Sequence, residues 1–141
     1  MANLIQGNIS IDQRGVLKYN NDFDLTEIKR LYIIQNDSKN IIRGWQGHKI
    51  EQRWFTSISG IFKINLIEID NWEKPSKSLI QRTYILDSKQ LTTLHVPAGF
   101  VSSIQSLTIS AKLLVFADHR HNEINDDYRY EINYFKSVDL Q

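Results

Sequence analysis

From Trp54 to Asp70 the chain alternates apolar and polar side chains with a period of two. Trp54, Ile58, Phe62, Ile64 and Leu66 fall on one face, and Ser57, Ser59, Lys63 and Asn65 on the other. An extended strand places successive side chains on opposite faces. The stretch therefore predicts a half-buried strand, with a bulge or turn at Gly60. Further strand patterns occur at Ile28–Ile34, Arg82–Asp87, Leu91–Val96 and Ser103–Ile109. Lys112–Ala117 alternates weakly and reads as a more fully buried strand. Turn signals separate them at 20–22, 35–40, 71–77 and 87–88, and Pro75 and Pro97 stand where strand patterns break. Many short strands at this spacing predict an all-β sandwich or barrel. The best helical candidate is a short one near Asp126–Phe135. Asn8–Leu17 reads as an early strand at an edge, which could pair with a second chain or be covered within its own.

The chain has 141 residues, suited to a single domain over 1–141 with one core. Its 17 Lys and Arg against 16 Asp and Glu leave a net charge of +1, too little to draw nucleic acid or an acidic membrane. Any anion specificity must come from a local cluster. No cysteine is present, which excludes disulfides, thiolate catalysis and cysteine-bound metal. Met1–Gly7 has no basic region followed by an apolar run, and no segment approaches the ~20 apolar residues of a membrane helix. A cytoplasmic location is the expectation.

The densest polar run is Arg43-Gly44-Trp45-Gln46-Gly47-His48-Lys49, followed by Glu51, Gln52 and Arg53. Arginine suits phosphate because its planar fork gives two parallel hydrogen bonds. Glycines at 44 and 47 would let the backbone approach a ligand. The run reads either as an anion site beside a proton-transfer histidine or as a charged surface turn. Tyr32, on a predicted strand and sharing a face with Arg30, is the tyrosine best placed to enter a barrel. His95 shares a face with Leu91 and Thr93; it either lines the interior or is a hydrogen-bonded strand histidine. His119-Arg120-His121 reads as a solvated loop.

These pieces, in their order, resemble a known family. Asp12-Gln13-Arg14-Gly15, then Ile28–Ile34, then the Arg43–Lys49 run are similar to the sugar 3,4-ketoisomerase family of cupins. Leu113–Asp118 and Asp127-Tyr128-Arg129 fit its C-terminal pattern. A more distant likeness is to 3,5-epimerases of dTDP-4-keto-6-deoxyhexoses. The resemblance implies a cupin jelly-roll barrel, a homodimer that exchanges N-terminal strands, no cofactor, and action on a dTDP-linked 4-keto-6-deoxy sugar in deoxysugar biosynthesis. It implies that Arg14 and Arg43 contact the nucleotide or sugar and that Tyr32 is an active-site tyrosine. Arg53 stands where the epimerases place a pocket lysine.

One position departs from the pattern. The family has two histidines, the first serving as base, and here the first is Gln46, whose amide cannot accept a proton near neutral pH. A metal cupin is excluded by spacing: its ligand positions are Gln46, His48, Arg53 and Ser102, of which only His48 suits a divalent cation. The expectation is a metal-independent isomerase with His48, Tyr32 and Arg53 catalytic and Arg14, Arg43, Gln46 and His95 binding the nucleotide-sugar. The alternatives are a sugar-nucleotide-binding cupin without catalysis, and a structural dimer with an empty barrel. Convergence of Tyr32, Arg43, Gln46 and His48 inside the barrel separates the first two from the third.

Overall fold

In the computed structural model, which describes residues 1–136 and 139–140, the chain forms strands and turns, with no helix among the described residues. The strands are β1 (Asn3–Ile5), β2 (Asn8–Asp12), β3 (Gly15–Tyr19), β4 (Arg30–Ile34), β5 (Ile42–His48), β6 (Arg53–Ser59), β7 (Ile61–Glu68), β8 (Gln81–Asp87), β9 (Thr93–Val96), β10 (Phe100–Ser106), β11 (Lys112–Ala117), β12 (Tyr128–Arg129) and β13 (Asp139–Leu140). One sheet has the order β1-β9-β6-β11-β4 and the other β12-β5-β10-β7-β8-β13. Pairing is antiparallel except between β13 and β8. The two sheets face each other in the manner of a cupin jelly roll.

The chain changes sheets at Gly60. Its φ of +75° is one that residues with a side chain rarely adopt, and a Cβ there would lie 2.2 Å from Thr108 Oγ1. The expected turn at Gly60 is present, and it resets the side-chain parity. Phe62, Ile64 and Leu66 face the core as their alternation predicts, but on β6 the core residue is Phe55. Trp54 and Ile58 occupy the outer face, where Ile58 is exposed and Trp54 packs on Phe23 and His95. Phe55, Leu94, Val96, Leu113 and Val115 from one sheet meet Phe62, Ile64, Leu66, Leu86 and Ile104 from the other, forming the inner core. Fully burying such side chains contributes about 1.5–3 kcal/mol each.

A second cluster lies on the outer face of the six-stranded sheet, where Trp45, Ile67, Ile69 and Val101 are covered by Phe135, Tyr130 and Tyr134. The 126–135 segment expected to be helical is instead an irregular strap containing β12. Its aromatic side chains are spent on this face, and Tyr130 exchanges backbone hydrogen bonds with Trp45 at 2.9 and 3.3 Å. The strand expected over Asn8–Leu17 is a hairpin, β2 and β3, hydrogen-bonded to neither large sheet. Asp12 Oδ1 accepts from the Arg14 amide (2.8 Å) and closes its turn. Ile11, Val16 and Leu17 are exposed along it. The 103–109 strand begins earlier, at Phe100 directly after the Pro97–Gly99 turn, and ends at Ser106 before a turn through Ser110. No described helix is long and apolar enough to cross a membrane.

Candidate functional site

Strand β5 ends at His48, and the turn that follows is built around Asp126. The buried Asp126 carboxylate accepts the backbone amides of Lys49 (2.8 Å), Ile50 (2.9 Å) and Glu51 (2.8 Å). Its own carbonyl lies 2.6 Å from His48 Nδ1. A carbonyl can only accept, so Nδ1 carries the proton and Nε2 of the neutral ring holds a lone pair. Nε2 makes no hydrogen bond to the described residues. Burial, then the charge of Arg53, holds the His48 pKa below its ordinary 6.5; the Asp126 carbonyl, Glu51 and the Asp126 carboxylate oppose this. At neutral pH His48 is therefore an unprotonated base.

Opposite β5, on β4 and β6, a charged network assembles. Glu51, 6% exposed, accepts from Arg53 Nε (2.8 Å) and Nη2 (2.5 Å). Arg53 Nη1 donates to the Tyr32 hydroxyl oxygen. Arg30 Nη2 lies 3.8 Å from Glu51 Oε1, and the guanidiniums of Arg30 and Arg53 sit 5.3 and 5.7 Å from the Tyr32 ring centre. Because the Tyr32 oxygen accepts from Arg53, its own proton is free to be donated elsewhere. Burial raises the Tyr32 pKa above 10.0, against the lowering pull of Arg53, Arg30 and Arg43, so it stays a protonated donor.

Tyr32, His48 and Arg53 line a cavity of about 720 Å³ with Arg43, Gln46, Phe55, Phe100, Ser102 and Arg129. A neighbouring cavity of about 420 Å³ shares Tyr32, Gln46, His48, Arg53 and Arg129 with the first and adds Arg30, Glu51 and Arg120. Arg43 Nε donates to Asn36 Oδ1 (2.7 Å), and Gln46 Nε2 to Asp127 Oδ1 (2.9 Å). Buried Arg30 Nε and Asn36 Nδ2 have no partner among the described residues. The glycines of the run serve the protein's own packing. A Cβ at Gly47 would lie 2.1 Å from the Phe100 carbonyl on β10, and one at Gly44 2.0 Å from Ile132.

Five of the seven expected residues thus converge: Tyr32, Arg43, Gln46, His48 and Arg53. Arg14 and His95 do not line this cavity. Arg14 sits at the tip of the β2–β3 hairpin, 87% exposed and paired with Asp12 at 2.7 Å. His95 points to the outer face of its sheet, stacked 5.0 Å from Trp54 and hydrogen-bonded to Gln52 Oε1 at 2.7 Å. Its face is the one shared with Thr93, as expected, but that face is turned away from the interior because Leu94 and Val96 fill the core. Burial, then the N-terminal ammonium, lowers the His95 pKa.

Sequence reasoning named Glu51 only as part of the polar run and gave Asp126 no role. Arg129 entered only through the C-terminal pattern. Among the described residues, ligand atoms of Glu51, Asp118 and His119 lie within 4.8 Å of one another. The three side chains are engaged by Arg53, by Gln52 and by the Asp118–His119 contact.

The fold and this site define a cupin-type jelly roll whose interior carries a cationic cavity with one unprotonated histidine. The chain belongs to the family described as FdtA: WxcM-like, C-terminal, whose model matches residues 2–139. It is similar to the QdtA 3,4-ketoisomerase from Thermoanaerobacterium thermosaccharolyticum, solved as a double mutant in complex with TDP. The two share 26% identity over 95% of this chain and 91% of that one, with a TM-score of 0.70. Two likenesses are of fold alone. A 3,4-ketoisomerase from Helicobacter canadensis is 23% identical over 94% and 93% of the two chains, with a TM-score of 0.71. The dTDP-4-dehydrorhamnose 3,5-epimerase from Bacillus anthracis, with TDP and pyrophosphate bound, is 16% identical over 94% and 79%, with a TM-score of 0.75. No curated protein matches the chain in sequence.

Proposed function

We propose that this protein is a metal-independent 3,4-ketoisomerase of a dTDP-linked 4-keto-6-deoxy sugar. The observation that carries this reading is the His48–Asp126 contact, which leaves a basic Nε2 in a cavity that also holds the Tyr32 donor and the Arg53 cation. In the proposed reaction His48 Nε2 takes the proton from C3. The C3–H electron pair forms the C3=C4 bond, and the C4 carbonyl pair moves onto oxygen. Tyr32 donates to that oxygen, and the charge of Arg53 stabilises it. The Tyr32 phenolate then takes the proton from O3, the O3–H electron pair forms the carbonyl at C3, and the C3=C4 pair takes the proton from His48 at C4, which returns both side chains to their starting states. Arg43 and Arg129 are the cations placed to hold the diphosphate. The QdtA protein with TDP bound supports the choice of nucleotide.

The exposed apolar hairpin β2–β3 supports a homodimer in which this arm docks on a second copy and carries Arg14 to the partner. A second reading, binding without catalysis, is favoured by one observation: Gln46, hydrogen-bonded to Asp127, cannot move a proton.

A thermal shift with dTDP, with UDP and GDP as controls, tests the ligand site. A shift of several degrees with dTDP alone is expected, and no shift with any nucleotide overturns both readings. Deuterium exchange at C3 of dTDP-4-keto-6-deoxyglucose then separates enzyme from binder.

A further inference from the structure

The site holds two guanidiniums against one tyrosine ring, and a single buried carboxylate serves both. Glu51 takes both Arg53 Nε and Nη2, which leaves only one edge of that guanidinium, Nη1, free to reach Tyr32. The same carboxylate lies 3.8 Å from Arg30 Nη2 and, on its other side, 3.8 Å from His48 Nδ1. Glu51 lines the smaller cavity but not the larger. Its backbone amide is fixed by Asp126, so the carboxylate is held from both ends. Both donors converge on the one oxygen Oε2, and two N–H groups held at one acceptor fix the plane of an arginine as a single hydrogen bond does not.

We propose that Glu51 is a positioning residue, whose carboxylate sets the Arg53 fork so that Nη1 donates to the Tyr32 oxygen and the Tyr32 proton is turned into the cavity. It acts through Arg53 and touches no reacting atom. The inference deepens the ketoisomerase reading, but part of its test does not depend on that reading.

The groups facing His48 are Arg53, Glu51 and Asp126; those facing Tyr32 are Arg53, Arg30, Arg43 and Glu51. Glu51→Gln removes the one negative charge common to both sets. The His48 and Tyr32 titrations, followed by nuclear magnetic resonance and by tyrosinate absorbance against a Tyr32→Phe blank, should both move to lower pH. A merely structural role predicts the opposite for His48: a loosened site admits water, and the imidazole rises toward its ordinary value. Unmoved titrations, or a rise for His48, would overturn the proposal.

In turnover, Glu51→Gln should lower kcat by about tenfold or more, with KM little changed. Its effect should largely vanish in a Tyr32→Phe background, because both changes break one chain of contacts. Additive losses would count against it. If the glutamine variant does not fold, Glu51→Asp keeps the charge and withdraws the carboxylate by one methylene; kcat should fall while both titrations stay in place, and an unchanged kcat would sink the idea. Should the wild-type protein turn over no keto-sugar, the ketoisomerase reading fails, and the two titrations still decide the role of Glu51.

Discussion

The backbone carbonyl of Asp126 lies 2.6 Å from Nδ1 of His48, 78 residues earlier in the chain. This contact fixes the tautomer of the histidine, and burial then holds its pKa low. Turnover should therefore fall as pH drops through the folded-state value, below 6.5, rather than at it. The linked stability has the same sign. The unfolded chain binds a proton at 6.5 more readily than the folded one, so the His48 contribution is complete above 6.5 and is lost as pH falls through the folded pKa. His48→Asn should abolish C3 deuterium exchange and leave dTDP binding intact. An acid limb in kcat/KM at or above 6.5 would contradict this assignment.

Gln46 donates to Asp127 at the cavity, and its amide cannot move a proton. Gln46→His would set an imidazole within reach of the Asp127 carboxylate, which now lies 2.9 Å from the amide nitrogen. The Asp127 pKa is lowered; burial alone would raise it, but the hydrogen bonds from Gln46 and Arg129 outweigh that. The anion is thus ready to orient and support an added imidazolium. The expected outcome is faster turnover, by about tenfold, with a second ionisation in the pH profile. A variant whose profile keeps a single limb would show that position 46 does not touch the proton path.

Asp126 holds the 49–51 turn through three backbone amides. Asp126→Ala leaves those donors without a partner and should cost about 2–4 kcal/mol. Asp126→Asn keeps one acceptor oxygen and should cost less. Urea unfolding checks both: the midpoint should fall with m unchanged. A loss under about 0.5 kcal/mol for alanine would mean that water replaces the carboxylate.

The β2–β3 arm offers Ile11 and Val16 to solvent, 71% and 57% exposed. Replacing both with aspartate should leave the monomer fold intact and shift the sedimentation coefficient from dimer to monomer. A wild-type protein that is already monomeric would remove the arm's assigned role.

The strands were legible where one face meets the core and the other meets water, as on β7 and β8. The cavity was legible in part: Tyr32 lies in a strand that the alternation located, whereas Arg43, Gln46, His48 and Arg53 stood out as a polar run and through the family resemblance, and the strand β5 that carries the first three was not foreseen. Glu51 and Asp126 were not legible, since each gains its role from partners that only the fold supplies. Nothing local in Asn125-Asp126-Asp127 says that one carboxylate will be buried against a turn 75 residues away. The parity of β6 was misread because Gly60 lets the chain leave one sheet and restart in the other. His95 was left open for a related reason, since Leu94 and Val96 on the one hand and Thr93 and His95 on the other are both buried or half-buried. Alternation cannot tell the inner face of a sandwich from a covered outer one.

That same glycine has a counterpart at the other end of β6. β6 runs on into β7 through Gly60, and β5 runs into β6 through the 49–52 turn, so the strand is tied to the six-stranded sheet at both ends. The two ties stand roughly 23 Å apart at ~3.3 Å per residue. Arg53 is the first residue past the second tie, where Asp126 pins the turn through three amides. Its guanidinium is therefore carried at the clamped end of a strand clamped at both ends.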